Sequence, residues 1–426
     1  MDSFETKCIQ AGYSPKNGEP RMAAIVQSTT FAYDTPEEMA EIFDLKTEGC
    51  VYSRLKNPTC QVLEKKVAEL EGGVGALSAA SGMAAITTAI LNLCDSGDNF
   101  ISVSSIYGGS YNLFNVTMRR LGIECRFVDL DDNDEVFEKM IDDKTKFIYF
   151  ETIANPCGRV ADFEKFDRLS KKYGIVLMID NTIASPYICR PFEHGVHVVI
   201  HSTTKYLDGH GVAIGGIIVD SGTFNYLGNP RYPQYNTPDE SYHGMVFARD
   251  CGKTAFIDRA RAVGLRDLGG SMSPMNAFLT NLGTETLHLR MPRHSDNTLA
   301  LAKAIEKHPA VLWVKYAGLE NDSEHKKAMK YFYKGYCAGM LSFGIKGGRE
   351  AAAKFQKDLK LFRIVTHVAD SKSCALHPAS TTHRQLSDAD LVAAGVPVEL
   401  IRLSVGIEGE QDIINDVVRA LDKTLK

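Results

Sequence analysis

Seven short apolar runs alternate with segments of helical length between residues 74 and 220, and no other feature constrains the fold as strongly. Most of these runs lack the alternation of apolar and polar residues that marks a half-exposed strand, so we expect strands covered on both faces by helices. The pattern predicts an α/β fold with a mainly parallel, helix-covered sheet. The runs are VGALSA (74–79), NFISVS (99–104), CRFVDL (125–130), KFIYFE (146–151), IVLMID (175–180), VHVVIH (196–201) and VAIGGIIVD (212–220).

The segments before and after this central block have different patterns of apolar and turn-forming residues. Residues 1–60 lack sustained periodicity and contain turn-rich pieces, so they are expected to form an extended N-terminal arm. A large domain is expected over 61–258. A helical, basic stretch and an α/β tail with apolar runs at 338–345 and 400–407 then predict a smaller α/β domain over 259–426. A chain of 426 residues is long enough for this division.

Composition narrows the class of partner. The formal net charge of −5 leaves no electrostatic footprint for nucleic acid or for an anionic membrane. The first residues have neither the basic nor the apolar segment of an export signal, and no apolar run approaches the roughly 20 residues that span a bilayer. Ten scattered cysteines without a C-x-x-C pair or a Cys/His zinc spacing are typical of reduced thiols in the cytoplasm, and we expect no metal.

Lys205 is the first candidate for chemistry. It follows an apolar run and three hydroxyl residues, Ser202, Thr203 and Thr204, in the segment IHSTTKYLDGHG (200–211). Ligands of open α/β sheets bind beyond the carboxyl ends of strands. A lysine in that place is partly desolvated, which lowers the pKa of its amine and makes it a better nucleophile toward an aldehyde. An ordinary surface lysine in a polar turn is the alternative at this point.

Three further positions suit a planar, phosphorylated cofactor. Asp180 ends the run IVLMID; such a carboxylate either caps a helix or pairs with a pyridine nitrogen. The small-residue turn SAASGMAA (78–85) offers free backbone N–H groups to an anion, although tight packing without a ligand explains it equally well. Tyr107 opens the next helical segment and is able to stack on a ring, whereas a buried core tyrosine is the commoner outcome.

Taken together, nine ordered segments closely resemble the Cys/Met-metabolism family of pyridoxal-phosphate enzymes. This family contains cystathionine synthases and lyases, methionine γ-lyase and the homoserine-ester sulfhydrylases, and its members share the fold of the aspartate-aminotransferase type. The segments are YSRLKNPT (52–59), SGMAA (81–85), YGGSY (107–111), ETIANP (151–156), DNTIASP (180–186), HSTTKY (201–206), VGLRDLG (263–269), HPASTTH (377–383) and LIRLSVGIE (400–408).

The resemblance implies residue roles where the motifs match. Lys205 would carry pyridoxal 5′-phosphate as a Schiff base, with Tyr107 as a possible acid or electrostatic helper. Arg402 would clamp the substrate carboxylate, a task suited to its planar fork, and Ser373 would help to seat it. The residues that would hold the cofactor are Tyr52 and Arg54 (reaching the phosphate of a neighbouring subunit), Gly82, Met83, Tyr107, Asn155, Asp180, Ser202, Thr204 and Lys205.

Within the family the chain is most similar to the O-acetylhomoserine sulfhydrylase branch, because of its length and the insertion at 221–243, which either covers an entrance or decorates the surface. The resemblance implies replacement of acetate on O-acetyl-L-homoserine by sulfide or a small thiol, in a homo-oligomer that is at least a dimer and most naturally a tetramer.

Cystathionine γ-synthase or γ-lyase activity is the alternative. Gly109 stands where methionine γ-lyases carry cysteine, which argues against that activity, and the segment 367–380 is shorter than the common pattern. A non-catalytic scaffold is disfavoured because Lys205, Asp180, Tyr107 and Arg402 are all present.

Overall fold

The computed structural model describes residues 3–382, 384–385, 387–388, 391 and 395–426. Its larger sheet has seven strands in the spatial order β1-β7-β6-β5-β4-β2-β3. Each of the seven apolar runs overlaps one of these strands, with ends that agree within a few residues, so the α/β prediction is confirmed. The strands are β1 (Gly75–Ala79), β2 (Asn99–Val103), β3 (Glu124–Val128), β4 (Thr145–Glu151), β5 (Val176–Asp180), β6 (Val198–His201) and β7 (Gly216–Asp220).

One strand departs from the parallel arrangement. Neighbours from β3 to β6 all pair in parallel, whereas β7 runs antiparallel to both β6 and β1. Residues 202–215, which join β6 to β7, contain no helix, and a parallel return would need a crossover connection, usually a helix. The chain uses this connection for the turn that carries Lys205 and comes back antiparallel.

Helices cover both faces of this sheet, and their ends follow local capping rules. In α3 the side chain of Asn57 accepts a hydrogen bond from the Thr59 N–H, Pro58 occupies the first turn, and Gly72 ends the helix with a left-handed φ of 83°. The helices up to residue 259 are α1 (Phe4–Gln10), α2 (Pro36–Phe43), α3 (Pro58–Glu71), α4 (Gly82–Leu93), α5 (Gly108–Asn112, continued by a π-helix over Leu113–Met118), α6 (Asp134–Met140), α7 (Phe163–Tyr173), α8 (Ser185–Ile188), α9 (Pro233–Asn236), α10 (Phe247–Asp250) and α11 (Ala255–Arg259).

A second sheet of five strands forms in the C-terminal part, in the order β10-β11-β12-β9-β8. Its strands are β8 (Val311–Lys315), β9 (Met340–Ile345), β10 (Arg363–Ile364), β11 (Cys374–Leu376) and β12 (Leu400–Ser404). The helices of this part are α12 (Arg266–Leu268), α13 (Pro274–Glu285), α14 (Leu287–Ile305), α15 (His325–Tyr331), α16 (Gly348–Asp358) and α17 (Glu410–Thr424). The domain boundaries near 60 and 258 stay predictions.

Most of the described residues among the first sixty are exposed or half-buried, but the segment is anchored at its start. Helix α1 packs on the body of the chain: Cys8 is fully buried, and the ring of Phe4 meets that of Tyr187 edge-on at 5.4 Å. Of the motif at 377–383, His383 lies outside the described residues. Among the residues that the structure describes, no helix is both long and apolar enough to cross a membrane.

The insertion at 221–243 neither covers the candidate site nor merely decorates the surface. Three of its tyrosines are buried against the core: Tyr226, Tyr232 and Tyr235. The Tyr232 hydroxyl accepts a hydrogen bond from the Val176 N–H at 3.0 Å, and it donates one to the Lys146 carbonyl. These two partners stand at the starts of β5 and β4. The insertion therefore closes the amino-terminal edge of the sheet, opposite to the edge where parallel strands bind ligands.

Candidate active site

The carboxyl-terminal edge of the large sheet gathers the residues proposed from sequence. Tyr107 and Asn155 follow β2 and β4, Asp180 ends β5, and Lys205 lies four residues beyond β6. Gly82 begins α4 just after β1, whose carboxyl end joins the same edge because Ala79 pairs with Gly216. Topology alone thus brings together positions that lie more than a hundred residues apart in the chain.

Lys205 lies in a turn with most of its side chain removed from solvent. Its Nζ is 3.2 Å from Nδ1 of His367. Burial lowers the pKa of the Lys205 amine, and the nearby Arg402 cation lowers it further. This direction agrees with the expectation from sequence, because an amine that loses its proton more readily attacks an aldehyde more readily.

The start of α4 forms a tight cradle against the Lys205 turn. A Cβ added to Gly82 would lie 2.7 Å from Cβ of Ser202 and 3.1 Å from its Oγ, so only glycine permits this approach. Ser81 caps the helix by accepting from the Ala84 N–H at 3.1 Å, while the first N–H groups of any helix lack intrahelical partners. The N–H groups of Gly82 and Met83 and the Ser202 hydroxyl therefore stand at one place, which suits an anion.

The two threonines next to Ser202 differ in what their hydroxyls do. Thr204 Oγ1 exchanges hydrogen bonds with the backbone of Gly215, at 3.2 Å to its carbonyl and 3.1 Å to its N–H. Thr203 Oγ1 is buried and has no hydrogen-bond partner among the described residues. The structure thus ties the predicted ligand Thr204 to the loop before β7, where it stabilises the cradle.

Asp180 is enclosed within the edge of the sheet. One carboxylate oxygen accepts from the Thr182 N–H at 2.9 Å. Burial raises the pKa of Asp180, with the Thr182 contacts acting in the opposite direction. A half-buried carboxylate at this place is suited to hold a protonated pyridine nitrogen, since each group offsets the desolvation cost of the other.

Tyr107 stands at the start of α5 with its side chain largely free. It is 51% exposed, so it is not the buried core tyrosine that we weighed as the alternative. A Cβ on Gly109 would lie 2.4 Å from Cε1 of the Tyr107 ring. Glycine at position 109 therefore leaves room for the ring, which any larger residue would displace.

Arg402 is a buried cation without an ionic partner in the described part of the chain. Its guanidinium donates to Oδ1 of Asn155 at 3.3 Å and to the carbonyl of Thr366 at 3.4 Å. Burial lowers its pKa. Buried charges are normally paired, so this guanidinium is suited to bind the carboxylate of a ligand.

The hydroxyl of Ser373, the residue expected to help seat the substrate carboxylate, bonds to two loops of its own chain. Its hydroxyl donates to Oε2 of Glu408 and accepts from the Gly406 N–H, both at 2.8 Å. Both uses hold together the loops beside β11 and β12, and no described hydrogen bond joins Ser373 to Arg402 or Lys205. The prediction that Ser373 seats the substrate carboxylate has no support in this placement.

Tyr52 and Arg54 do not reach the site of their own chain. The guanidinium of Arg54 lies over the Tyr52 ring at 5.2 Å and donates to the Arg266 carbonyl. Tyr52 is 41% exposed. Among the described residues, no hydrogen bond, ion pair or ring contact connects either of them to Gly82, Asp180 or Lys205.

Comparison with known proteins decides the family. The model of the family described as Cys/Met metabolism PLP-dependent enzyme matches residues 5–422. The chain belongs to this family. It is 44% identical to the O-acetyl-L-homoserine sulfhydrylase of Leptospira meyeri, covering 98% of this chain and 96% of that protein. It is also 44% identical to the homocysteine synthase of Schizosaccharomyces pombe, covering 99% and 98%.

A solved structure agrees with both the family and the fold. A putative O-acetylhomoserine (thiol)-lyase from Campylobacter jejuni superposes with a TM-score of 0.95 at 40% identity, covering 99% of this chain and 100% of that one. That protein carries N′-pyridoxyl-lysine-5′-monophosphate at its position 205. Pyridoxal phosphate is thus the cofactor of this Cys/Met-metabolism enzyme.

The residues present fit that cofactor on their own chemistry. A glycine-lined helix start beside the Ser202 hydroxyl suits the phosphate, the half-buried Asp180 suits a ring nitrogen, and the amine of Lys205 suits the aldehyde. Tyr107 leaves a ring face accessible beside them. One edge of the sheet therefore offers a suitable group for each of four parts of the cofactor: its phosphate, its ring nitrogen, its aldehyde and its ring face.

Two further residues of this family member escaped the sequence reasoning. Glu151 ends β4 next to Asp180, and its carboxylate accepts from the N–H of Tyr107 at 2.6 Å and from that of Asn155 at 3.3 Å. Burial and the Asp180 charge raise the pKa of Glu151 strongly. The sequence feature that could have revealed Glu151 is its place as a charged residue at the end of an apolar run. His367 is the other; nothing in its spacing indicated a contact with Lys205, 162 residues away.

Proposed function

We propose that the protein replaces the acetyl ester of O-acetyl-L-homoserine with sulfide or a small thiol, giving L-homocysteine or methionine and acetate. One observation carries this proposal: the buried, ionically unpaired guanidinium of Arg402 lies beside the amine of Lys205, whose pKa it lowers. A substrate carboxylate bound there would hold an α-amino acid next to the nucleophilic lysine. The names of the similar proteins, sulfhydrylase and homocysteine synthase, support the choice of reaction.

Pyridoxal phosphate, when bound, supplies an electron-withdrawing ring that acidifies the carbon bonds next to the substrate amine. Gly82, Met83 and Ser202 would bind its phosphate, with Thr204 fixing the loop beside them. The carboxylate of Asp180 would keep a proton on the ring nitrogen. These residues therefore orient the group and stabilise its charge without moving during the reaction.

Lys205 has two tasks in this proposal. Its amine would hold the aldehyde of the cofactor, and as a free base it would move protons at Cα and Cβ of the substrate. Its lowered pKa favours both tasks, because only the neutral amine is a nucleophile and a base. Tyr107, whose backbone N–H is fixed by Glu151, would stack on the ring and assist as an acid. Acetate is a good leaving group, so its departure needs no metal.

Gly109 separates this reaction from a lyase activity. A side chain at this position would displace the Tyr107 ring, since even a Cβ would lie 2.4 Å from it. A cysteine at 109 would require the Tyr107 ring to shift. Because methionine γ-lyases characteristically carry that cysteine, the glycine favours replacement over that lyase activity.

The decisive assay mixes the protein, loaded with pyridoxal phosphate, with O-acetylhomoserine in the presence and absence of sulfide. Homocysteine formation should outpace release of α-ketobutyrate. Formation of ketobutyrate alone, at a rate independent of sulfide, would instead establish a γ-lyase. Cysteine offered as the acceptor tests cystathionine γ-synthase activity, and acetyl, succinyl and phospho esters compared side by side identify the preferred donor.

The same preparation tests Lys205. Borohydride reduction followed by peptide mapping should place the label on Lys205. The variant Lys205→Ala should lose both the visible absorbance band of the lysine-bound cofactor and turnover. A label on another lysine, or turnover by the variant, would contradict the assignment.

We propose further that the active unit is a homo-oligomer, at least a dimer and most naturally a tetramer. Tyr52 and Arg54 lack contacts to their own site, and large apolar side chains near the Lys205 turn are exposed: Val212 and Ile214 are each 63% exposed. A second copy would cover them and receive Arg54 at its phosphate site. Mixing the inactive variants Arg54→Ala and Lys205→Ala should restore part of the rate, because hybrid pairs then contain one intact site. If mixed oligomers of the two variants stay inactive, Arg54 of one subunit does not complete the site of another.

We also propose a cytoplasmic location. All ten cysteines are free thiols, and most are buried or half-buried, as expected in a reducing compartment. Fractionation of the native host followed by immunodetection tests this directly, and recovery from an exported fraction would contradict it.

A further inference from the structure

The amine of Lys205 makes one hydrogen bond within the described residues, and it goes to Nδ1 of His367 at 3.2 Å. From this contact and the surroundings of the ring we propose that His367 is a catalytic residue that accepts and returns the protons carried by Lys205. The proposal deepens the proposed function and rests on it, because it requires a lysine that moves protons at carbon.

The position of His367 is fixed by its own part of the chain. Its carbonyl accepts a hydrogen bond from Sγ of Cys374 in β11 at 3.1 Å. The preceding carbonyl, that of Thr366, is held by the Arg402 guanidinium in β12. Two neighbouring strands therefore orient the segment that presents the ring to Lys205, so the contact does not depend on Lys205 alone.

The other ring nitrogen carries the hydrogen in the neutral tautomer whose Nδ1 accepts a proton from Lys205. Nε2 of His367 is buried and has no hydrogen-bond partner among the described residues. Around it stand two cations and two carboxylates: Lys205 and Arg402 lower the pKa of the imidazole, Asp370 and Asp208 raise it, and burial, the largest influence, lowers it. The imidazole is therefore mostly neutral near pH 7 and able to accept a proton.

The proposed reaction creates a need for such an acceptor. Replacement at Cγ requires that a proton leave Cα and that another leave Cβ, and one amine holds only one of these protons at a time. Lys205 must hand on the first before it takes the second. An acceptor within hydrogen-bond distance of Nζ is the requirement for general acid–base transfer, and His367 meets it.

The transfer balances without any other reactant. The Lys205 ammonium gives one proton to Nδ1 of His367, the N–H electron pair stays on Nζ, and the imidazole becomes a cation. The neutral amine then removes the proton from Cβ. After the thiol has added at Cγ, Lys205 returns the second proton to Cβ. His367 then gives the first proton back to the neutral amine for delivery to Cα, and the imidazole is neutral again.

The test separates the two carbon positions. In D₂O, an amino acid that has no leaving group, L-2-aminobutyrate, exchanges its Cα and Cβ protons on the loaded enzyme, and NMR follows each. In His367→Gln, exchange at Cα should stay within a few-fold of wild type while exchange at Cβ and γ-replacement both fall about 10²-fold. His308→Gln is the control, because that ring pairs with Asp422 far from Lys205 and should change nothing.

A second measurement avoids turnover altogether. In the full chain without cofactor, the His367 imidazole is followed by NMR after labelling of histidine at Cε1 with ¹³C. Because the Lys205 cation lowers the pKa of this imidazole, Lys205→Met should raise it. His308 serves as the internal reference and should not respond.

The outcomes bear separately on the two proposals. Cα and Cβ exchange that fall together in His367→Gln, or that both persist, would overturn the assignment of His367, as would an imidazole pKa unmoved by Lys205→Met. A wild-type enzyme that exchanges both protons but forms no homocysteine would overturn the proposed function and leave the His367 assignment standing. His367→Asn repeats the exchange test should the glutamine variant fold poorly.

Discussion

The guanidinium of Arg402 in β12 donates a hydrogen bond to the side-chain oxygen of Asn155, 247 residues earlier in the chain. Asn155 lies at the edge of the large sheet, and its N–H is held by Glu151. The contact therefore joins the cofactor-binding edge of the first sheet to the substrate-binding strand of the second. The Arg402 cation, which keeps further N–H donors, thus lies near Lys205, where an amino acid would bind.

Replacing Arg402 should weaken substrate binding selectively. In Arg402→Lys a single ammonium takes the place of a fork that contacts Asn155, Thr366 and a carboxylate together. The loss of charge-assisted hydrogen bonds costs roughly 1.5–3 kcal/mol, so KM for O-acetylhomoserine should rise about 10- to 100-fold. Steady-state kinetics at saturating sulfide measure it. Arg249→Lys, an exposed residue, is the control, and an unchanged KM would remove Arg402 from the substrate site.

Replacing Asp180 should reduce turnover more than cofactor binding. The isosteric variant Asp180→Asn keeps an oxygen for the Thr182 N–H but removes the charge that would hold a proton on the ring nitrogen. The value of kcat should fall about 10²-fold or more, the scale seen when one electrostatic partner of a transition state is removed. Cofactor content, measured by absorbance, should stay near that of wild type. A normal kcat with full cofactor loading would contradict the assignment.

The fold was accessible from sequence because its signal is local and repeated. Each apolar run supplied most or all of one strand, and the strands from KFIYFE and IVLMID are buried on both faces along nearly their whole length. The antiparallel course of β7 was not accessible in the same way. It depends on the absence of a helix in the connection after Lys205, and apolar runs carry no direction.

Only part of the site could be predicted from the sequence, because some of its contacts depend on tertiary packing. Asp180 ends one apolar run and Lys205 follows another, so their shared edge follows from topology. His367 meets Lys205 through tertiary packing of two distant segments, which periodicity does not encode. Ser373 illustrates the same limit: its role toward the substrate carboxylate came only from the resemblance and stays a prediction, whereas its hydroxyl bonds to Glu408 and Gly406 in the structure.

The tyrosine cluster of the 221–243 insertion should contribute to stability and leave turnover unchanged. Tyr232→Phe removes a hydroxyl that joins the Val176 N–H and the Lys146 carbonyl in a fully buried place. Two backbone groups lose their partner, which should lower the free energy of unfolding by roughly 1–3 kcal/mol. Chemical denaturation measures this loss.

Tyr235→Phe is the matched control for that experiment. Its hydroxyl is equally buried but has no hydrogen-bond partner in the described part of the chain, so its removal should cost little. Similar losses in the two variants would show that packing, rather than the Tyr232 hydrogen bonds, holds the insertion against the sheet. A loss of activity in Tyr232→Phe would contradict its placement at the edge opposite to the site.

Asp220, at the end of β7 and away from Lys205, should make stability depend on pH. One carboxylate oxygen accepts from the Gly222 N–H at 2.9 Å, and the other is buried without a hydrogen-bond partner among the described residues. Burial raises the pKa of Asp220 to about 7. An unfolded aspartate has a pKa of about 3.9, so between about pH 4 and 7 the folded chain holds a proton that the unfolded chain has released. The contribution of this group to stability therefore falls as the pH rises through that window.

The variant Asp220→Asn isolates this effect, because the amide has nearly the same shape and does not ionise. At pH 8 it should be more stable than wild type by roughly 1–3 kcal/mol, the cost of a buried polar group that lacks its partner. At pH 5, where the wild-type carboxyl is protonated in the folded chain, the difference should shrink toward zero. Thermal denaturation at both pH values, with cofactor content held equal, measures it. An equal gain at both pH values would mean that the benefit comes from packing and that Asp220 is already neutral at pH 8. The variant should keep normal turnover, which also makes it the control for Asp180→Asn as the loss of a buried carboxylate from the same sheet.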